Sequence, residues 1–421
     1  MRAAVDAWAA WDQHVSAPAA LSYAAPLAAD PATLPAPATI APREWLYGSR
    51  LIRRFVSVLA APGGVGKSAL ALGQALALAT GRAFLGERVH HSAPAWVFNL
   101  EDPLEEMQRR LAALMMLHAI PNEAVSGRLF LNTGRLRRLV MAELDGDGGI
   151  ALPDRAPLIA AARAAGVGLI VVDPFVKSHR LDENSNVHMD AAATAWAEVA
   201  DQAGCAVLLV HHVRKGTADG VDATRGAKAL TDAARSASLL AAMTVEEAAA
   251  LGVPERERWR HVRLDDAKAN LAPRGETARW YRLESVSLGN GTVLYPLGDA
   301  VGAIAPWTPP SPFRDLSAAD CNRALDAIGQ GQDGHALTRH RTGRANPKAG
   351  GGRWAGAVLE QLFGFAPDEA ARVLAVWLKS GLLIEEEYRH PDQRKARLGL
   401  KVVDAKRPTM AREKKEYNDA N

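Results

Sequence analysis

Short apolar runs alternate along this chain with longer Ala-rich stretches of helical spacing. The runs cover residues 55–60, 95–100, 129–132, 167–172 and 206–210. Each is a continuous apolar block, the pattern of a strand covered on both faces. Between them, helices are predicted near 67–80, 103–118, 154–165 and 188–203. Strands that take turns with helices build βαβ units and a mostly parallel sheet. Two later segments, 259–265 and 277–285, are rich in Arg, Trp, Tyr and Val and read as strands at the sheet edge.

The pattern breaks twice. Residues 16–43 are dominated by Ala and Pro (Pro18, Pro26, Pro31, Pro35, Pro37, Pro42), which blocks helix continuation and reads as a linker. Before it, Trp8, Trp11 and Val15 fall on one face of a short helix. The second break is APWTPPSP at 305–312. Beyond it the order is helix (317–329), a Gly-rich basic loop, helices (354–363 and 367–380) and two strands (382–389 and 397–403). Helices followed by a hairpin outline a winged helix. The predicted plan is therefore a helix and linker over 1–43, an α/β domain over 44–304, a Pro-rich linker over 305–316, a small winged-helix-like α+β domain over 317–404 and a polar tail over 405–421.

A length of 421 residues fits two to three domains, and 48% apolar with 23% charged residues is ordinary for a soluble globular protein. Cys205 and Cys321 lie far apart, which excludes a disulfide scaffold and a cysteine zinc site. No charge-free apolar run approaches the roughly 18 residues of a membrane span. The opening stretch carries Asp6 and Asp12 and no basic n-region, so a secretory signal is not expected. These features point to the cytoplasm, away from membranes. Net charge is only +3, and the positive excess sits in 313–421, with 19 Lys/Arg against 15 Asp/Glu.

The strongest chemical signal is Ala61-Pro62-Gly63-Gly64-Val65-Gly66-Lys67-Ser68, followed by Ala69 and an apolar helix. Strand, Gly-rich loop and helix in this order make a phosphate-binding loop. The glycines let main-chain N–H groups curl around phosphates, and the helix N-terminus faces the same anion. Lys67 would reach the β- and γ-phosphates of a nucleotide such as ATP, and the Ser68 hydroxyl would bind Mg²⁺. The usual pattern begins with Gly; Ala61 stands there instead, which leaves the turn at that position open.

The run 168–173, GLIVVD, ends in Asp173, placed to share Mg²⁺ with Ser68 at the carboxyl edge of a parallel sheet. A hydrolase also needs a group to orient or deprotonate water. Pro174 follows Asp173, so no adjacent Glu can serve. Glu101, leaving the strand at 95–100, is the candidate base. Asp102 before Pro103 reads as a helix N-cap.

Taken together, APGGVGKS, NLEDP, IVVDPF, LLVHH, TRG and DDAKAN resemble RecA/DnaB-type P-loop ATPases over roughly residues 44–300. More closely, they are similar to RepA-type plasmid replicative helicases and related AAA-annotated ATPases. The resemblance implies a RecA-like fold and a ring, with a hexamer expected and ATP sites between protomers. It implies that His212 senses the γ-phosphate and that Arg225 enters the neighbouring subunit's site as a finger. It also implies that Lys268 is a second basic residue at that boundary. Loops 175–189 (Lys177, His179, Arg180) and 213–224 (Arg214, Lys215) would grip single-stranded DNA, although Asp182 and Glu183 dilute the charge of the first.

In the C-terminal region, 335–359 holds Arg339, Arg341, Arg344, Lys348 and Arg353 and no acid. The candidate wing, 387–403, carries Arg389, Arg394, Lys395, Arg397 and Lys401. A basic wing fits duplex or forked DNA, and protein docking is the competing use. In helix 367–380, Ala370, Val373, Leu374 and Trp377 form the buried stripe. The leading expectation is an ATP-driven DNA motor, a replicative helicase of a phage, plasmid or integrated element. An ATP-gated DNA-binding regulator and a nucleotide kinase are the alternatives; the kinase lacks an evident lid and leaves Arg225 unexplained.

Overall fold

The five apolar runs form five adjacent parallel strands in a computed structural model. It describes residues 29, 31–213, 228–273, 278–314, 316–339, 353–389 and 396–408. The strands are β1 (Val56–Ala61), β2 (Ala95–Asn99), β3 (Leu129–Thr133), β4 (Leu169–Asp173) and β5 (Ala206–His212). They are joined by β6 (Ser236–Ala242), β7 (His261–Ala269), β8 (Arg279–Ser287) and β9 (Ala300–Pro306). The nine-stranded order is β9-β8-β7-β6-β1-β5-β4-β2-β3. Strand β6 runs parallel to β1, and β7, β8 and β9 follow antiparallel.

Side chains alternate across this sheet into two cores. Leu59, Ala61, Val97, Val171, Leu208 and Val210 pack with helices α1 (Lys67–Thr80) and α2 (Leu104–Leu117). Val58, Ala60, Phe98, Val172, Val207 and Leu209 pack with α3 (Arg155–Ala164), α4 (Asn186–Ala203) and α5 (Lys228–Ala233). Two covered faces explain why these strands lack polar alternation.

Helix α1 is buried on every side from Ala69 to Ala79. A helix apolar all round needs cover beyond one sheet face. Strands β8 and β9 supply it: Tyr281, Ala303 and Ile304 belong to the same core as α1. A Cβ on Gly73 would lie 3.1 Å from Leu85 and 3.6 Å from Ile304, so the helix fits closely there. Strand β9 then runs along α2. The Arg109 guanidinium pairs with Asp299 at 3.1 Å, and His118 Nε2 bonds the Ile304 carbonyl oxygen at 2.8 Å.

The sheet edge differs from expectation. The two expected edge segments correspond to β7 and β8, which begin at His261 and Arg279, but β9 lies outside them, and its last two residues begin the segment read as a linker break. Ala300–Pro306 is mostly small, and Pro306 sits at the strand's end, where a missing N–H costs least.

Two compact units divide the chain: Met1–Met243 with Trp259–Thr308, and Thr244–Arg258 with Pro309–Asn421. The second unit contains α6 (Ala318–Gln330), α7 (Gly356–Phe363), α8 (Pro367–Lys379) and the antiparallel pair β10 (Leu383–Arg389) and β11 (Ala396–Val402). Ser317 and Asp320 form a capping box at the start of α6. Its core joins Leu325, Ile328, Leu359, Val373, Leu374, Trp377, Leu383 and Leu400. The stripe read in 367–380 is buried, Ala370 included.

Trp8, Trp11, Val15 and the tail beyond residue 408 lie outside the described residues. So do Arg341, Arg344, Lys348, Arg394 and Lys395. Residues 31–43 of the expected linker are exposed, with a single 3-10 turn at Pro37–Thr39. Among the described residues no helix is long and apolar enough to cross a membrane.

Candidate functional site

Strand register brings the singled-out residues to one sheet edge. His212 stands opposite Ala61, the last residue before the Gly-rich loop. Asn99 stands opposite Asp173 on one side and Thr133 on the other. The carboxyl ends of β1, β5, β4 and β2 are consecutive in the sheet. Lys67, His212, Asp173 and Glu101 therefore gather where ligands of parallel sheets bind.

The loop itself is shaped for an anion. Ala61 is the final, fully buried residue of β1, and its carbonyl accepts from Val213 N at 3.1 Å. The open question at position 61 resolves into ordinary strand, where no glycine is required. Gly63 and Gly64 are exposed, with nothing within 4 Å of an added Cβ. Pro62 and Val65 are half-buried, and Val65 packs on the α1 core. Gly66 caps α1 in the left-handed region, at φ 88°. A Cβ there would also come within 2.8 Å of Leu283, so glycine is required twice over. Lys67 is the first residue of α1, and Ser68 and Ala69 follow in the first turn.

Lys67 is only 8% exposed. Burial lowers the pKa of its ammonium, and Asp173 and Glu101 oppose that shift across space. No described carboxylate closes to ion-pair distance on it. A buried, unpaired ammonium is costly unless an anion reaches it. Asp173 is the counterpart: burial raises its pKa, while a hydrogen bond from Ser68 and the charges of Lys67 and His212 lower it. Ser68 and Asp173 thus put two hard oxygen donors side by side. Among the described residues no group of three or more His, Cys, Asp or Glu could hold a metal alone. Mg²⁺ fits such a sparse donor set, because it keeps waters and phosphate oxygens as its remaining ligands.

The turn after β2 is built by Asn99. Its Oδ1 accepts from the main-chain N–H groups of Glu101 and Asp102 at 2.9 and 2.8 Å, and its Nδ2 donates to Asp102 Oδ2 at 3.1 Å. Leu100 N donates to the Asp173 carbonyl at 2.8 Å, and Arg135 Nε to the Glu101 carbonyl at 3.1 Å. The Glu101 backbone is thereby fixed while its side chain stays exposed. Asp102 is not the N-cap expected of it. Pro103 occupies that position, and the Asp102 carboxylate pairs with Arg110 at 2.8 Å instead.

Arg110 and Asn99 were not among the expected site residues. Both line a small cavity together with Ser68, Asp173 and Met107. Arg110 also bonds Glu106 at 3.1 Å, one helical turn back. An arginine on an amphipathic helix looks like a solvated face; only the packing of α2 along β9, β3 and α1 turns it toward the phosphate loop.

Strand alternation sends the two histidines to different surroundings. His212 is exposed, and its pKa is lowered by burial and Lys67 and raised by Glu101 and Asp173, so it belongs to the cluster. His211 turns toward Phe175, with ring centroids 6.3 Å apart, and burial with His212 and His179 pushes it down to about 4.

Among the described residues, Lys268 is not brought to this cluster. Lys268 Nζ donates to the Thr231 and Asp232 carbonyls at 3.0 and 2.8 Å, at the C-terminal end of α5. Arg225, Arg214 and Lys215 lie outside the described residues. In the first expected DNA loop, Lys177 is exposed, but His179 is buried against Phe175 and Arg180 pairs with Glu143 at 2.8 Å. His179 is therefore not a surface group of that loop. In the second unit, Arg339 of the basic loop pairs with Glu385 at 3.5 Å and Lys401 of the candidate wing with Glu386 at 2.9 Å, which offsets part of the positive charge of each.

Residues 25–218 match the model of a family described as AAA domain, a span holding the phosphate loop, Glu101, Asp173 and His212. Among solved structures, the RadB recombinase is similar at 13% identity and a TM-score of 0.36, over 56% of this chain and 89% of that one. A second solved structure, described as an ATPase domain, is similar at 12% identity and a TM-score of 0.37, over 59% of this chain and 85% of that one.

Proposed function

We propose that this chain is an Mg²⁺-dependent ATPase that drives a ring-shaped DNA motor, a replicative helicase of a phage, plasmid or integrated element. The observation that carries the ATPase reading is the buried Lys67 ammonium, without an ion-pair partner among the described residues, set beside the Ser68–Asp173 pair. The AAA-domain match over the same residues supports it.

Main-chain N–H groups of 63–68 hold the β-phosphate, and Lys67 spans the β- and γ-phosphates. Ser68 and Asp173 hold Mg²⁺, whose chemistry is to draw charge from the phosphate oxygens. Glu101, anchored by Asn99, orients and deprotonates the attacking water. His212, next to Ala61 and close to Lys67, reports the γ-phosphate to the segment that follows it. Arg225, supplied by a neighbouring chain, stabilises charge on the transferring group. Lys268 contributes at the same boundary through the end of α5. The ring is a hexamer gripping single-stranded DNA. The second unit is a winged-helix-like module that meets duplex or forked DNA.

The Arg180–Glu143 pair and the acids Asp182 and Glu183 favour a second reading, a DNA-binding regulator or loader gated by ATP. ATPase rate with and without single-stranded DNA, together with mass in solution, separates the two. DNA-stimulated turnover by a ring with strand displacement is expected. Slow hydrolysis indifferent to DNA would replace the motor with the regulator. Mixing Arg225→Ala with Glu101→Gln chains is expected to restore part of the lost activity, because a boundary where the Arg225→Ala chain supplies Glu101 and the Glu101→Gln chain supplies Arg225 regains an intact set. No recovery at any ratio removes the finger in trans.

A further inference from the structure

The turn after β3 carries cations that took no part in the expected DNA grip. Residues 134–138 read Gly-Arg-Leu-Arg-Arg, and Arg135, Arg137 and Arg138 are all exposed. The turn leaves the carboxyl edge of the sheet next to β2, the strand that leads to Glu101.

Its shape is fixed by its neighbours. A Cβ on Gly134 would lie 3.0 Å from the Leu100 main chain, so the turns after β2 and β3 touch closely. Gly134 N donates to the Asn99 carbonyl at 2.9 Å, and Leu136 N and Arg137 N both donate to the Thr133 carbonyl at 3.2 Å. Arg137 is engaged by Asp154 at 2.6 Å, and the other oxygen of that carboxylate accepts from Val140 N at 2.7 Å.

Arg135 is held differently. Its Nε donates to the Glu101 carbonyl at 3.1 Å, a neutral acceptor that leaves the positive charge uncompensated. Among the described residues its Nη groups have no partner, and neither has the side chain of Arg138. A guanidinium anchored through Nε still offers two donors in a fixed fork.

The same surface runs on to the segment after β4. Residues Ala142–Leu144 pair in parallel with His179–Arg180, and Met141 N donates to the Ser178 carbonyl at 2.7 Å. The cations of the two tied segments are Arg135, Arg137, Arg138, Lys177 and Arg180. Asp154 and Glu143 neutralise Arg137 and Arg180. Arg135, Arg138 and Lys177 meet no carboxylate among the described residues. Asp145 and Asp147 sit apart, at the hairpin turn between Leu144 and Ile150, where Asp145 accepts from Asp147 N and Gly149 N. Asp182 and Glu183 follow the strand, and Asp182 accepts from Asn184 N at 2.9 Å. Phe175 and His179 are buried, so no aromatic side chain of these segments is offered for stacking. Exposed cations without stacking partners suit a phosphate backbone and not bases.

We propose that Arg135, Arg138 and Lys177 bind the phosphates of single-stranded DNA, and that Arg135 carries this contact to Glu101. The proposal rests on the ATPase reading, in which Glu101 handles the attacking water. A phosphate on the Nη fork loads the same guanidinium that holds the Glu101 carbonyl. Strand binding and the position of Glu101 are thereby coupled through one side chain, and the coupling acts in both directions. Arg135 is a positioning residue for hydrolysis and a direct ligand of the strand.

The test uses the full chain with ATP and Mg²⁺ and a labelled oligothymidylate. Arg135→Ala, Arg138→Ala and Lys177→Ala should each weaken strand binding about three- to tenfold and flatten its dependence on log salt by about 0.7. Arg135→Lys keeps the charge and loses the fork. It should hold strand affinity within about twofold yet lose most of the stimulation of ATP hydrolysis by saturating strand. Arg138→Ala should behave conversely, with weaker affinity and full stimulation at saturation. A merely structural role for Arg135 would not separate the two readouts. Wild-type affinity and salt slope in the alanine variants overturn the surface, and wild-type stimulation in Arg135→Lys overturns the link to Glu101. Reduced self-association with unchanged strand binding would assign the surface to an acidic protein partner instead. ATP binding is titrated in parallel. A wild-type chain that binds ATP but no strand overturns the proposal and leaves the ATPase reading standing; one that binds strand but no ATP removes that reading and the link with it.

Discussion

Two places in the first unit bury charge, and they do so in opposite ways. Around Glu87, the carboxylate bonds the Arg50 guanidinium, approaches Arg279 at 3.5 Å and accepts from Tyr281 Oη at 3.3 Å. Arg279 in turn pairs with Asp266 at 3.2 Å. Burial works against the Arg50 charge, yet Glu87 and the nearby tyrosines hold its pKa above the ordinary value. Burial, with some help from Glu87, pushes Tyr281 up to about 12. At the phosphate loop, by contrast, Lys67 is buried with no described carboxylate at ion-pair distance, and its pKa is driven down by burial. A buried network that pairs its charges within the fold is structural, even though Arg50 Nη1 and Tyr47 Oη stay without a hydrogen-bond partner among the described residues. A cation without an ion-pair partner among the described residues is suited to pair with an anion from solution.

Substitutions at the two places should therefore fail differently. The largest expected effect is on turnover: Lys67→Ala should lower the ATP hydrolysis rate by about 100-fold or more and weaken ATP binding. Its unfolding midpoint should hold or rise, because a desolvated charge is gone. An unchanged rate would remove the proposed nucleotide site. Glu87→Ala should do the reverse. It strands Arg50, costing about 3–5 kcal/mol of stability, with ATP affinity retained in the folded fraction. Denaturant unfolding reads that loss; a change under about 1 kcal/mol would mean the network is dispensable.

The structure also separates what is visible in residue order from what register creates. Helix 67–80 and strands 95–100 and 206–210 were legible within a residue or two, because continuous apolar blocks and Ala-rich spacing act locally. Strand β6, SASLLAA, escaped notice: its small residues carry weak β preference, and its burial comes from the β1 and β7 neighbours. Strand β9 was hidden by the proline at its end. In the site, Lys67, Ser68 and Asp173 were legible because a loop motif and a strand end are contiguous signals. Asn99 and Arg110 were not. Asn99 matters because its side chain folds back on the N–H groups of Glu101 and Asp102, and Arg110 because α2 packs beside α1 and brings it to Ser68 and Asp173. Asp102 was misread because Asp-Pro before a helix ordinarily signals a cap, whereas here Arg110 claims its carboxylate.

Acidification sharpens the comparison further. His211 has a folded-state pKa of about 4, below its ordinary 6.5. Its contribution is present above about pH 6.5 and lost as pH falls toward 4, roughly 3 kcal/mol when complete. His179 and His118 shift in the same direction through burial. Unfolding midpoints recorded from pH 7 to pH 4.5 should fall, and His211→Gln should flatten the decline. An equal slope in the variant would place the acid sensitivity elsewhere.

The smallest expected effect is the most diagnostic. Burial raises the folded-state pKa of Asp173, so its charged form costs stability at neutral pH, a cost relieved as pH falls through the folded value. Asp173→Asn should raise the unfolding midpoint of the nucleotide-free chain, while abolishing Mg²⁺-dependent hydrolysis. Destabilisation instead would mark Asp173 as a structural residue like Glu87.

The most direct measurement is calorimetric titration of ATP into the full chain with Mg²⁺ present, repeated with Lys67→Ala and Asp173→Asn. Binding by the wild type is expected, weakened by Lys67→Ala and made indifferent to Mg²⁺ by Asp173→Asn. Absence of binding by the wild-type chain at any concentration would contradict the assignment of its unpaired buried charges to a nucleotide.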